Sequence, residues 1–199
     1  MRITSTFSPQ VLPQHEEQLR QPATTGRLAA VPAAGPLRPR ELAVGDHGVL
    51  PPHGVVEVVA RGPQQIDGTR EDFFGLRSLL DGTRLWIPVR RIDACAFRPL
   101  THPSLAAGVL ATLRSRPAPV PHMAPYKWHR KLYAEIYGGS LEATAAVLRD
   151  LRALKQVRAL SPTERRIHDY AHKCLVLELA LTLNQTREQV EWQVRKTTG

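Results

Sequence analysis

The sequence contains little of what marks secreted, membrane-spanning or disulfide-bonded proteins. Cys95 and Cys174 are the only cysteines among its 199 residues, and their spacing is not that of paired metal ligands. No apolar run is long enough to cross a bilayer, and the start, MRITSTFSPQ, lacks the apolar core of a secretory signal. The sequence therefore predicts a cytoplasmic protein without a membrane segment, whose two thiols are reduced and buried.

Motifs of catalysis and metal binding are also scarce. There is no G-x-S-x-G, no P-loop and no Gly-rich dinucleotide turn, and Gly138-Gly139 is typical of a helix stop. Glu164, His168 and His172 share one helix face, which suggests zinc. Helix-face histidines are commonly solvated, however, and no HExxH or paired CxxC accompanies them. We therefore expect no enzyme activity, no cofactor and no metal site.

What the sequence does have is an unevenly distributed positive charge. The formal net charge is +9, yet residues 41–100 carry seven Lys or Arg against eight Asp or Glu, whereas residues 120–199 carry thirteen against eight. A basic half beside a neutral one indicates that only one of them faces a polyanion such as nucleic acid. A solvated, Arg-rich surface is the alternative that charge alone leaves open.

Residues 1–40 and 41–100 differ in amino-acid composition and in hydrophobic pattern. The first forty residues hold six of the 17 prolines and no apolar period, which is typical of a disordered tail. Residues 41–100 contain short β-rich runs separated by the turn-forming pairs Gly62-Pro63, Asp67-Gly68 and Asp81-Gly82. The runs are GVVEVVA (54–60), DFFGLRS (72–78), RLWIPVR (84–90) and ACAFRPL (94–100). Because so few short strands cannot bury one face of a flat sheet, we expect a small SH3- or Tudor-like β-barrel.

Helical signals dominate the rest of the chain. Residues 101–125 form a Pro-rich joint around one short helix, SLAAGVLATLRSR, and residues 126–199 predict a bundle of about four helices. Start and stop signals lie at Ser140, at Asn184 and at capping boxes over 161–164 and 186–189. The predicted apolar faces comprise Trp128, Leu132, Ile136, Leu141, Ala145, Leu148, Leu151, Leu154, Ile167, Ala171, Cys174, Leu175, Leu179 and Leu183. The predicted fold class is therefore α+β, with two modules that proteases should separate at the joint.

Several segments also match a known pattern, in order along the chain. The stretch VGDHGVLPPHGV (44–55) is similar to a "GD.VVYP.HGVG" opening and continues in IPV (87–89). The match resumes at WHRK (128–131), VLRDL (147–151), LSPTERR (160–166) and LEL (177–179), so that it covers residues 42–192. With these segments the chain resembles the CarD family of bacterial transcription regulators, also called CdnL.

The resemblance implies a regulator of transcription initiation. Its Tudor-like module would bind the β subunit of RNA polymerase, and its helical domain would contact promoter DNA at the upstream edge of the transcription bubble, largely independently of sequence. There Trp128 takes the place of a tryptophan that wedges into the minor groove and stabilises the open complex. The positions that contact phosphates correspond to Arg130, Lys131, Arg165 and Arg166, the last two in a helix turn whose free N–H groups favour phosphate. We further expect a monomer.

The polymerase-facing positions depart from the family pattern. Relatives carry basic residues before the Pro-containing strand and in the loop after the first long strand, where this sequence has Trp86 and Gln64. Arg84 or the Arg90-Arg91 pair can compensate, so the expected polymerase-binding residues are Arg84, Trp86, Arg90 and Arg91. The alternative function is a protein–protein adaptor that uses its β module on another partner, with a helical domain that binds nucleic acid non-specifically or not at all.

Each tryptophan also has a purely structural interpretation. Trp128 is in phase with the apolar residues that follow it on its helix and fits a core position as well as a wedge. Trp86 should point away from the face that its strand neighbours bury, either as a partner contact or as a half-buried residue. Trp192 gains no support from the resemblance and is predicted to pack.

Overall fold

A computed structural model describes residues 41–66, 69–119, 123–138 and 140–197. The predicted disordered tail, the predicted turn at Asp67-Gly68 and the second glycine of the predicted helix stop lie outside these ranges. Within them an antiparallel sheet precedes a set of helices, which confirms the predicted α+β class.

The sheet has five antiparallel strands. They are β1 (His47–Leu50), β2 (Gly54–Ile66), β3 (Thr69–Ser78), β4 (Arg84–Pro88) and β5 (Arg98–Pro99), arranged in the order β4-β3-β2-β1-β5. The predicted break at Gly62-Pro63 is wrong, because β2 continues through both residues. A proline fits there because β1 pairs with β2 only as far as Glu57, so Pro63 has a neighbouring strand on one side alone. The strand predicted over 94–100 is mostly wrong as well. A 3-10 helix covers Val89–Cys95 and leaves the two residues of β5.

A small apolar core lies on the inner face of this β module. Alternate residues of β2 and β3 point inward, as the period of a strand requires. Gly48 is needed in β1, because a Cβ at this position would lie 2.1 Å from the ring of Phe97. The core comprises Leu42, Leu50, Val56, Val58, Phe74, Leu76, Ile92 and Phe97.

The described part of the chain then forms five α-helices. They are α1 (Ala106–Arg114), α2 (Pro125–Gly138), α3 (Leu141–Val157), α4 (Pro162–Leu183) and α5 (Arg187–Thr197). The predicted signals are confirmed: Ser140 caps α3, the capping boxes at 161–164 and 186–189 both form, and Asn184 ends α4 in a left-handed conformation. None of the described helices is long and apolar enough to span a membrane.

Two apolar clusters hold the helices together. The first joins α1, α3, α4 and α5, so the helix predicted within the joint is part of the core of the bundle. Its buried members are Ala106, Val109, Leu113, Leu141, Ala145, Leu148, Leu175, Val176, Leu179, Ala180, Val190 and Val194. The second joins α2, α3 and α4 through Leu132, Ile136, Val147, Leu151, Leu154, Leu160, Ile167 and Ala171.

The β module and the helical bundle share a further apolar cluster. Val49 and Val55, from β1 and β2, pack against Leu177 and Leu181 of α4. The half-buried side chains around them are Leu79, Leu80 and Leu100. The two modules therefore contact each other through the C-terminal half of α4.

Candidate functional site

Trp128 lies in the first turns of α2. Its backbone N–H donates to the carbonyl of Ala124 at 3.1 Å, which anchors the start of the helix. The indole ring is half-buried against the cluster of α2, α3 and α4 and lines a crevice of about 210 Å³. One wall of the crevice is the segment at Ala118, whose N–H donates to Asp150 Oδ1 at 3.0 Å. Trp128 is thus neither a fully buried core residue nor a freely exposed one.

The indole N–H of Trp128 has no acceptor among the residues that the structure describes, although the atom is buried. A buried donor without a partner costs about 1–3 kcal/mol relative to the same donor in water. Within the described part of the chain, the packing of the ring buries its apolar surface but gives its polar atom no partner.

The basic residues next to this tryptophan face the solvent. Arg130 and Lys131 follow it on α2 and are both exposed. Lys131 also lines the crevice, together with Glu135 and Asp150. The two carboxylates make the crevice itself unsuitable for a phosphate, so phosphates are expected at the exposed rim.

Arg165 and Arg166 are exposed near the start of α4, and Arg165 also donates to the Leu160 carbonyl at 3.3 Å. The free N–H groups expected at this helix start are partly used by the protein itself. The backbone N–H of Glu164 donates to Ser161 Oγ at 3.2 Å. A phosphate at this end of α4 would therefore rely on the arginine side chains more than on the backbone.

Glu164 closes this helix start with an ion pair in which the carboxylate is buried and its partner Arg158 is half-exposed. Its two carboxylate oxygens accept from Arg158 at 2.8 and 3.0 Å, and one also accepts from the Ser161 N–H at 2.8 Å. These hydrogen bonds, that of Arg158 first, lower the pKa of Glu164 to about 2. Because both oxygens are engaged, Glu164 is not available as a metal ligand.

The two histidines of the suggested zinc set stack on each other, with ring centroids of His168 and His172 6.5 Å apart. Burial, followed by the positive charge of Arg152, lowers the pKa of His172. Within the described ranges, no three His, Cys, Asp or Glu side chains lie close enough together to hold a metal ion.

One exposed aromatic residue of α2 was missed by the sequence analysis. Tyr126 is 64% exposed, and Lys127 Nζ lies 6.0 Å from the centre of its ring. The signal was present in the sequence, because aromatic and basic residues alternate over Tyr126-Lys127-Trp128. Such alternation is typical of surfaces that stack on bases and bind phosphates.

Trp192 is 61% exposed on α5, so the prediction that it packs is wrong. The helix buries Val190 and Val194, which lie four residues apart on one face. Trp192 falls between them in sequence and thus on the opposite face, where Lys196 Nζ lies 4.9 Å from its ring centre.

On the β module, Trp86 lies on the edge strand β4 and is 40% exposed. Leu85 and Ile87 pack against the core on the other face, which confirms the predicted alternation. The ring of Trp86 lies over Gly75 of β3, since a Cβ there would be 3.1 Å from two ring atoms.

The arginines around Trp86 differ in their contacts. Arg84 is exposed on β4, and Arg91 is exposed in the 3-10 helix that follows. Arg90 forms a two-point ion pair with Glu71, with Nη2 3.0 Å from Oε2. Gln64, expected in a loop, instead lies within β2 opposite Glu71.

A small antiparallel β module joined to a basic helical bundle defines a two-module protein with a candidate DNA surface on one module and an exposed aromatic edge on the other. Residues 108–195 match the family model for the CarD C-terminal domain. Over 149 residues, which are 74% of this chain and 96% of the relative, the chain is 24% identical to the "Putative transcription factor YdeB" of Bacillus subtilis (strain 168). Both comparisons support the CarD/CdnL family of transcription regulators for this chain.

Proposed function

We propose that this regulator binds the β subunit of RNA polymerase through its β module and stabilises the open promoter complex through its helical domain. The observation that carries the proposal is the state of Trp128. A half-buried indole, whose N–H has no acceptor among the described residues, lies at the head of α2 beside the exposed Arg130 and Lys131. A ring in this state gains a partner for its polar atom when it moves onto DNA.

The minor groove offers what the indole lacks. Its floor carries the N3 acceptor of adenine and the O2 acceptor of thymine, and a splayed base step offers a face on which the ring can stack. Stacking of about 1–3 kcal/mol, expressed wholly in the rate of bubble closure, would lengthen the lifetime of the open complex roughly 5- to 150-fold. Arg130, Lys131, Arg165 and Arg166 would hold the backbone on either side without reading sequence.

The polymerase contact is proposed for the edge of the sheet at β4. Trp86, Arg84 and Arg91 are exposed there, and aromatic residues and arginine are the side chains most enriched at protein interfaces. Arg90 would contribute to polymerase binding in one of two ways. Either the partner contacts the intact Arg90–Glu71 ion pair, or an anion of the partner replaces Glu71. Trp86 is therefore the first residue to test.

The test uses the full chain and measures two quantities on the same variants. We expect Trp86→Ala to weaken binding to polymerase by about tenfold or more, as the loss of an interface anchor does. Trp128→Ala should bind polymerase like the wild type and shorten the lifetime of the open complex after a competitor is added. Equal polymerase binding by wild type and Trp86→Ala would contradict the assignment of β4.

The adaptor remains the second candidate function. It is favoured by the ion pair of Arg90 with Glu71, which neutralises one of the few basic groups at the expected polymerase surface. A full chain that binds DNA but does not retain the polymerase β subunit would support the adaptor and contradict the polymerase tether.

A further inference from the structure

Glu178 lies in the C-terminal half of α4 and is 1% exposed. Its Oε1 accepts hydrogen bonds from Arg98 Nη1 at 2.7 Å, from the Thr101 N–H at 3.0 Å and from Thr101 Oγ1 at 2.7 Å. Its Oε2 accepts from Arg98 Nη2 at 2.9 Å. A buried carboxylate is tolerated only when it is paired and fully hydrogen-bonded, and four donor contacts meet that requirement.

The donors and the acceptor belong to different modules. Arg98 is in β5 and Thr101 lies two residues after the end of that strand, whereas Glu178 belongs to the helical bundle. The fork of the guanidinium binds both oxygens, which fixes direction as well as distance. This pair is therefore a contact that orients one module on the other.

Contacts on either side of Glu178 extend the same junction along α4. Toward the start of the helix, Tyr170 donates its hydroxyl to the carbonyl of Pro52, between β1 and β2, at 2.8 Å. Toward its end, Thr182 donates to the carbonyl of Thr101 at 3.1 Å. The spacing is tight near the first of these, since a Cβ at Gly54 would lie 3.2 Å from Cys174 Sγ. Contacts spread over three turns of one helix oppose both rotation and tilt.

The junction also leads to the tryptophan. Ile167 and Ala171, on the same helix as Glu178, belong to the cluster against which Trp128 packs. A continuous packed path thus runs from β5 through α4 to the head of α2. An indole that must reach the edge of a bubble benefits from this path, because a helical bundle that is held in place loses less freedom when its ring binds DNA.

We infer that Glu178 is a positioning residue, which holds the β module and the helical bundle as one rigid body so that docking of the β module sets the place of Trp128 on DNA. The inference rests on the proposed function for its consequence in transcription. The rigidity itself is a property of the free protein and can be measured without polymerase.

The experiment compares Glu178→Gln with Glu57→Gln in the full chain. Glu57 is the matched control, because it pairs with Arg77 at 2.6 Å entirely within the β module. NMR relaxation should give one rotational correlation time for both modules in the wild type and in Glu57→Gln. In Glu178→Gln the two modules should tumble with different correlation times. The lifetime of the open complex should fall about tenfold or more, while binding to polymerase changes by less than about twofold.

Arg98→Lys keeps the protein testable if Glu178→Gln does not fold. Lysine retains the charge but cannot bind both oxygens as a fork, so the modules should loosen in part and the lifetime should shorten in part. Common tumbling in every folded variant would overturn the inference, and so would independent tumbling with an unchanged lifetime. Failure of the proposed function itself is recognised separately, because Trp128→Ala would then leave the lifetime of the open complex unchanged.

Discussion

Replacement of Trp128 by alanine distinguishes two roles of this side chain, stabilising the helical bundle and contacting DNA. The side chain packs against the cluster of α2, α3 and α4 with part of its surface and leaves the rest accessible. Its indole N–H has no acceptor within the described residues. These two observations set the magnitude of the expected loss in the free energy of unfolding.

A fully buried tryptophan costs about 3–5 kcal/mol when it is cut back to alanine. A half-buried ring forfeits roughly half of that, and the mutation also removes an unsatisfied donor that costs about 1 kcal/mol or more. The net loss for Trp128→Ala should therefore be about 0.5–1.5 kcal/mol. In a unit of this size that loss lowers Tm by about 1–6 °C. Trp128→Phe keeps a ring and deletes the unsatisfied N–H, so it should unfold close to the wild type.

The assay pairs thermal or denaturant unfolding with the lifetime of the open complex. Trp128→Ala should shorten that lifetime by about 5- to 150-fold, and Trp128→Phe by less, because a smaller aromatic ring still stacks. Trp192→Ala is the control, since an exposed ring on α5 should change the free energy of unfolding by less than about 0.5 kcal/mol and leave the lifetime unaltered.

Two results would refute this reasoning about Trp128. A loss of about 3–5 kcal/mol would make the ring a core residue whose accessible part is incidental. A folded Trp128→Ala protein with an unchanged lifetime of the open complex would contradict the wedge, although the similarity to the CarD/CdnL family would stand.

Three further outcomes follow from exposure and charge. Removing the charge of Arg130 or Lys131 should weaken DNA binding equally across DNA sequences. It should also reduce the slope of the logarithm of the binding constant against the logarithm of the salt concentration by about one unit. An unchanged slope would mean that these residues only face solvent. Tyr126→Ala should weaken DNA binding without a change in Tm, because the ring is exposed, and a lowered Tm would argue against this role. The ion pair of Glu164 stabilises the fold fully above the ordinary pKa of 4.5 for this carboxyl, and this stabilisation is lost as the pH falls toward 2. Acid unfolding curves of Glu164→Gln should therefore lack a contribution of at most about 3 kcal/mol, reduced further because Arg158 is half-exposed. Identical curves for the wild type and Glu164→Gln would show that the pair contributes nothing.

Local signals in the sequence were enough to predict the helical bundle. Capping boxes, helix stops and apolar periodicity depend on residues within one or two turns of each other, and the structure places the boundaries of α3, α4 and α5 at the predicted signals. The exposure of Trp192 was within reach as well. Val190 and Val194 define the buried face of α5, and that phase places Trp192 opposite.

Features that depend on distant partners could not be predicted. Pro63 stays within β2 only because β1 ends early, and Arg90 is held by Glu71 across the sheet. The contact of Arg98 with Glu178 joins residues 80 positions apart. Nothing in the local sequence of LEL (177–179) indicates which of its side chains faces the other module.

The size of the proposed wedge contact explains why a rigid junction matters for a protein of this kind. A single stacked ring contributes about 1–3 kcal/mol of binding free energy. A flexible hinge between the modules would offset a comparable amount, because the entropy of the hinge is lost when the ring becomes ordered on DNA. Such a contact also carries no sequence information, so its location must come from elsewhere. Polymerase already stands at the promoter, and a β module fixed to α4 by Glu178 would convert that location into a position for Trp128. Sequence-independent DNA binding and precise placement would then be compatible, because the proposal assigns the first to the helical bundle and the second to its junction with the β module.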